Sequence, residues 1–222
     1  MTDEGRVRHS KAQDRELVTD DLDKAKLEAA NALRQSEHVR QLVLEVVDGR
    51  PFKLRPSTLL ALNRCAIEGL DAYAGVWRPA GIEIGESKHE PPGGHLVPEC
   101  VEEMCDYVND RWSQKSAIHL SSFVMWRLNW IHPSTEGNGR TSRAAAYLVL
   151  CAKSGSLLPG TETIPEQIVS NRGPYYKALE EADSAYLTEK QFTDTTVAEM
   201  EKLLGAMLAK QLRGAFDDAN HA

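Results

Sequence analysis

The chain has little of what marks a secreted, membrane-spanning or nucleic-acid-binding protein. Its 222 residues include only 4 cysteines. Cys65, Cys100, Cys105 and Cys151 show no Cys-x-x-Cys spacing and sit in apolar helical contexts. That pattern favours reduced core thiols in a cytoplasmic protein over a disulfide framework or a catalytic cysteine. No apolar run approaches the ~20 residues that a membrane helix needs. The opening run Met1-Thr2-Asp3-Glu4-Gly5-Arg6 is polar and lacks a signal-peptide core. Positive charge is in deficit, with 26 Lys+Arg against 33 Asp+Glu and a net charge of −7. This argues against non-specific nucleic-acid binding but leaves room for a local basic pocket. The chain has no Gly-x-x-x-x-Gly-Lys-(Ser/Thr) phosphate loop, no kinase landmark set, no repeat and no low-complexity block. What is present, 41% hydrophobic and 27% charged residues, is ordinary for a soluble globule large enough to bury one core.

Periodicity and caps predict an all-α domain. Residues 1–18 are polar and read as a flexible tail. Thr19 or Asp20 caps a helix that runs to about Val47 and ends at Asp48-Gly49. This N-terminal helical region, 19–54, leads into a main domain over 55–213, and 214–222 reads as a C-terminal tail. Within the main domain, Ser57 or Thr58 caps a helix to about Leu70. Pro98 opens another to about Trp112. Residues 117–131 carry Phe123, Val124, Trp126, Leu128 and Trp130 with no glycine or proline, as a buried helix would. Pro133 disfavours helical backbone at His132, so that helix stops there. Residues 141–153 are rich in strong helix formers before Gly155. Shorter helices are expected over 165–171 and 174–186, and a longer one over 188–212.

Chemistry concentrates between the two central helices, where residues 132–143 read His-Pro-Ser-Thr-Glu-Gly-Asn-Gly-Arg-Thr-Ser-Arg. A tight loop at a helix N-terminus presents unpaired N–H groups and the positive end of the helix dipole, which suit an anion. Gly137 and Gly139 let a phosphate approach the backbone and tolerate positive φ. Arg140 and Arg143 lie on the first helical turn, and guanidinium forks bind phosphate oxygens well. Glu136 is a hard oxygen ligand suited to a Mg²⁺ shared with phosphates. His132 can accept a proton near neutral pH. The competing reading is an ordinary Asn-Gly hairpin turn, but both flanks are helical rather than alternating. A zinc site is disfavoured, because Pro133 and Gly137 keep His132 and Glu136 off a shared helical face.

The run resembles the signature of the Fic family, His-x-Phe-x-(Asp/Glu)-Gly-Asn-Gly-Arg-x-x-Arg, departing only where Ser134 replaces Phe. Two further segments are similar to the family. Ala74-Gly75-Val76-Trp77-Arg78 with 81–92 looks like its Ala-Gly-x-x-Arg stretch and β-hairpin flap. Asn171-Arg172-Gly173-Pro174-Tyr175-Tyr176 looks like a stretch that helps to form the nucleotide pocket. The resemblance spans about residues 55–190. It implies an all-α Fic-type domain with a small β-hairpin flap that transfers AMP from ATP to a Ser, Thr or Tyr hydroxyl of a target protein. His132 would be the base and Glu136 the Mg²⁺ ligand. Gly137, Asn138, Gly139, Arg140 and Arg143 would hold the phosphates, with Tyr175 and Tyr176 in the nucleotide pocket. Flap residues Ile82, Glu83, Ile84, Gly85 and Glu86 would dock the target by strand addition. Read as ordinary helix residues, at least one of the two tyrosines belongs to the core. The resemblance also admits a related phosphotransfer or AMP removal. The kinase-like Doc branch carries a bulkier basic residue in place of the second loop glycine, and Gly139 is intact here. Ser134 motivates the other alternative, a nucleotide-binding module without transferase activity. Losing a buried aromatic costs ~3–5 kcal/mol unless something refills the space, and Trp126 or Trp130 is the expected filler.

Many family members carry an inhibitory helix with (Ser/Thr)-x-x-x-Glu-(Gly/Asn), and no strict match occurs in this chain. Glu28, on the N-terminal helix, is a candidate that would occupy Arg143. Glu68 in Ala66-Ile67-Glu68-Gly69 is a near miss with Arg64 where Ser or Thr belongs. A separate antitoxin-like inhibitor is the alternative.

Overall fold

The computed structural model describes residues 10–11, 17–80, 83–84 and 89–221. Among these, eight α-helices and two short strands follow one another as β1 (Ser10–Lys11), α1 (Asp21–Val47), α2 (Pro56–Ile67), β2 (Glu83–Ile84), α3 (Val97–Asp110), α4 (Ala117–Ile131), α5 (Asn138–Ser154), α6 (Ile164–Ser170), α7 (Gly173–Glu189) and α8 (Ala198–His221). The all-α reading therefore holds. No helix among the described residues is long and apolar enough to cross a membrane.

Local chemistry sets the helix ends. Asp20 caps α1 by accepting from the Asp23 N–H at 2.9 Å. Ser116 caps α4 in the same way through the His119 N–H. α2 differs from expectation: it has no side-chain cap and opens on Pro56, whose fixed φ and missing N–H suit the first helical position. α5 starts earlier than expected, at Asn138, because Gly137 takes φ 76 and turns the chain straight into the helix. The last two helices are also redistributed. Lys190, at φ 54, ends α7, and the next helix begins only at Ala198. The expected tail from 214 is helical to His221.

α4 is the central helix. It packs against α3, α5, α7 and α8, while α1 lies across α2 and α5. Leu120, Val124, Trp126, Leu128 and Ile131 are all essentially inaccessible, as are Leu148, Val149 and Cys151 on α5. The four cysteines are free thiols. Burial pushes the Cys105 thiol up to about 12, so it is no nucleophile at neutral pH. The flap region departs from the simplest expectation. Among the described residues, Glu83–Ile84 pairs antiparallel with Ser10–Lys11, so the N-terminal tail supplies a strand.

Candidate active site

The α4–α5 loop is held from every side by buried polar groups. Asn63 of α2 is fully buried. Its amide nitrogen donates to the Glu136 carbonyl at 3.0 Å, and its oxygen accepts the Gly75 N–H at 3.0 Å. Asn138 closes the loop on itself: its oxygen accepts the Ser134 N–H at 2.9 Å and its nitrogen donates to the Ser134 carbonyl at 2.7 Å. Thr135 Oγ1 donates to Asp71 at 3.1 Å. Gly137 has a second reason to be glycine, since an added Cβ would lie 2.5 Å from Ile67 Cγ2.

His132 ends α4 in left-handed backbone, φ 50, and is 6% exposed. Its Nδ1 lies 3.3 Å from the Asn129 carbonyl oxygen. A carbonyl only accepts, so Nδ1 carries the proton and Nε2 is the basic nitrogen. Asn129 also organises the floor, with its amide nitrogen 2.8 Å from both Ser142 Oγ and the Tyr175 hydroxyl.

The loop opens onto a cleft of about 1850 Å³ walled by α1, α5, α6 and α7. His132, Glu136, Gly137, Asn138, Gly139, Arg140, Arg143, Tyr175 and Tyr176 all line it, as do Ile84 and Glu28. The structure thus brings together the predicted residues that it describes apart from Glu83, which lies on β2 but does not line the cleft. Ile82, Gly85 and Glu86 lie outside the described residues.

Several individual roles differ from the sequence reading. Tyr175 is 2% exposed and belongs to the core; Tyr176 is the half-buried one of the pair. The Asn138 side chain braces the loop. Glu28 approaches Arg140, not Arg143: Glu28 Oε1 is 3.5 Å from Arg140 Nη1. Arg140 turns outward and also meets Glu136 Oε1 at 2.9 Å. Arg143 turns under the loop, where its Nη1 would sit 3.1 Å from a Cβ at Gly139. Burial pushes the Arg143 guanidinium below its usual value, the Tyr175 side chain opposes that shift, and the neighbouring Arg172 adds to it. Among the described residues Arg143 has no carboxylate partner. Arg172, which was noted only as part of a segment, therefore joins the cationic wall. Glu68 is taken up on the surface by Arg34, 2.7 Å away. The tryptophans expected to fill the Ser134 space pack against other aromatic rings. Trp126 lies 5.4 Å from the Tyr186 ring and 5.8 Å from Phe192. Trp130 lies 5.3 Å from Tyr186 and 5.4 Å from His89.

The site also bears on the metal. Glu136 Oε1 accepts from the Gly137 N–H and from Arg140, while the side chain stays 40% exposed. No group of three or more His, Cys, Asp or Glu among the described residues is placed to hold a metal. A single accessible carboxylate beside an anion site fits Mg²⁺ that takes its remaining ligands from phosphates and water, not a cation caged by protein.

Residues 53–150 match the profile of the Fic/DOC family. That segment, which runs from before α2 into α5 and contains the loop, is therefore of Fic/DOC type. It is 27% identical over 156 residues to the protein adenylyltransferase fic-1 of Caenorhabditis briggsae, a match covering 67% of this chain and 28% of that protein. This chain therefore corresponds to under a third of that relative's length. A Fic-domain signalling protein from Bacteroides thetaiotaomicron superposes with a TM-score of 0.66 at 17% identity, over 83% of this chain and 69% of the other. Fic-1 residues 134–508 from C. elegans give 0.62 at 20% identity, over 86% and 52%. At these identities the superpositions establish the Fic fold. Among the described residues, that fold is the helical frame that holds the loop.

Proposed function

We propose that this Fic domain is a protein adenylyltransferase, moving AMP from ATP to a Ser, Thr or Tyr hydroxyl of a target protein. The observation that carries this reading is the orientation of His132. Its Nδ1 is directed to the Asn129 carbonyl, so Nε2 is the proton acceptor on the wall of a cleft that also holds Arg140, Arg143 and Arg172.

His132 Nε2 takes the hydroxyl proton as the target oxygen bonds to the α-phosphorus. The bond from that phosphorus to the bridging oxygen breaks, and pyrophosphate leaves. Backbone N–H groups at the start of α5, with Arg140 and Arg143, hold the phosphates and offset the charge that develops on them. Glu136 would hold Mg²⁺, which when bound neutralises phosphate charge. Ile84 and Glu83 offer a strand edge to the target backbone. Glu28 is proposed as a restraint acting on Arg140.

Incubation with target lysate and ATP labelled at the α- or the γ-position tests the reading. Transfer of α-label alone is expected. Transfer of γ-label would replace it with phosphotransfer. The burial of Ser134, whose Oγ has no hydrogen-bond partner, favours a second reading as a binding module; nucleotide binding with neither label transferred would establish that one.

A further inference from the structure

The last carbonyls of a helix find no partner within it. At the end of α4, consecutive ones are all met by the stretch that leads into and out of the flap. His89 Nε2 lies 2.7 Å from the Trp130 oxygen. The Arg78 guanidinium donates through Nη2 to the Ile131 oxygen at 3.3 Å and through Nε to the His132 oxygen at 2.7 Å. The Arg78 backbone N–H donates to the Pro133 oxygen at 2.9 Å. The same guanidinium reaches the two sides of the flap stem, donating to the Ala80 oxygen at 2.7 Å and to the Pro92 oxygen. The stem is tight, since a Cβ at Gly94 would lie 2.9 Å from the Ala80 oxygen.

Arg78 is 2% exposed and, among the described residues, has no carboxylate partner. A buried guanidinium is tolerated only when its N–H groups are met, and here carbonyl oxygens meet them. The cation also faces the negative end of the α4 dipole. His132 needs such support, because a non-glycine residue at φ 50 sits in a sparsely populated region.

We propose that Arg78, assisted by His89, is a positioning residue that locks the flap stem to the backbone of His132, so that strand edge and base keep one relative geometry. The inference rests on the reading of His132 as the base. Lysine keeps the charge but has no planar fork, so it cannot span Ala80, Pro92, Ile131 and His132 together.

The test uses the full chain with Arg78→Lys and His89→Ala. Three quantities are read: α-label transfer to target, ATP affinity by calorimetry, and the His132 ring resonances, assigned by their loss in His132→Gln. Arg78→Lys should lower transfer ~10–100-fold, the scale set by small misplacements of reacting groups. ATP affinity should stay within about twofold, because the phosphate-binding residues are untouched. The His132 resonances should move, and His89→Ala should act in the same direction but less. Unmoved resonances with full transfer would overturn the proposal, as would parallel loss of transfer and ATP affinity. If the wild type transfers no AMP, the adenylyltransferase reading fails, and the resonances alone decide the coupling: displaced ones support it and unmoved ones overturn it. If Arg78→Lys does not fold, His89→Ala carries the same readouts.

Discussion

The two ends of the α4–α5 loop are held in opposite ways. At the histidine end, carbonyl oxygens are anchored by buried donors, and His132 itself is 6% exposed. At the arginine end, Arg140 holds two acids in partly exposed ion pairs, at 2.9 and 3.5 Å. His132 is thus fixed through its backbone, whereas Arg140 is a partly exposed side chain whose acidic partners the phosphate of the proposed reaction would displace. On the proposed reading, the histidine end would govern geometry and the arginine end affinity.

That division is tested most severely by His132→Ala. Transfer should fall by ~10²–10⁴-fold, the usual contribution of a general base. ATP affinity measured by calorimetry should hardly change, because in the proposed reaction the imidazole would act on the target hydroxyl. A matching loss of ATP affinity would merge the two ends into one.

Arg143→Ala probes the other end. Removing a charge-assisted hydrogen bond to phosphate costs about 1.5–3 kcal/mol, so ATP affinity should drop by roughly 10–100-fold. AMP, which lacks the outer phosphates, should lose much less. Equal losses for both nucleotides would remove Arg143 from the outer-phosphate role.

How much of this was legible in the sequence follows the same division. The ends of α4 and α5 could be read because Pro133 and Gly155 act on their own neighbours, whereas the start of α5 at Asn138 came three residues before the expected one. The clustering of His132, Glu136, Arg140 and Arg143 could be read because they are close in the chain. Residues that act at a distance could not. Asn63 supports the Glu136 carbonyl from another helix, and its sequence neighbours give no sign of it. Arg78 was visible as part of a segment, but its carbonyl partners lie on both sides of the flap and at the end of α4. The left-handed backbone of His132 was hidden because a bulky residue disfavours it, and the compensating donors come from elsewhere. Tyr175 and Tyr176 are adjacent and alike in chemistry, so only packing could show which of the two is buried in the core.

Ser134→Phe sharpens the comparison at the histidine end. Ser134 is 0% exposed and is bracketed by both ends of the Asn138 amide. Restoring the larger residue forces an already closed loop apart, and overpacking of this kind costs ~1–3 kcal/mol. Thermal or denaturant unfolding should show that loss, with transfer reduced as His132 shifts. Ser134→Ala should be neutral or slightly stabilising, because the deleted hydroxyl has no hydrogen-bond partner. A gain of both stability and transfer in Ser134→Phe would mean instead that the natural loop is under-packed and its activity weakened.

The smallest effect is expected where the arginine end meets α1. Glu28 is proposed as a restraint on the site, but its partner is Arg140 at 3.5 Å, and the two side chains are 45% and 26% exposed. A pair of that length and exposure is worth ~0–1 kcal/mol. Phosphate competes with it for a guanidinium that Glu136 also holds at 2.9 Å. Glu28→Gln, which avoids the helix penalty of glycine, should therefore raise ATP affinity or self-labelling by no more than about fivefold. Glu68→Gln breaks only a surface pair with Arg34 and should leave both unchanged. Activation of a hundredfold or more in Glu28→Gln would show that α1 does more than pair with Arg140, for instance by narrowing the cleft that Arg143 faces. No change in Glu28→Gln would take α1 out of the control of the site and leave restraint to a separate inhibitor.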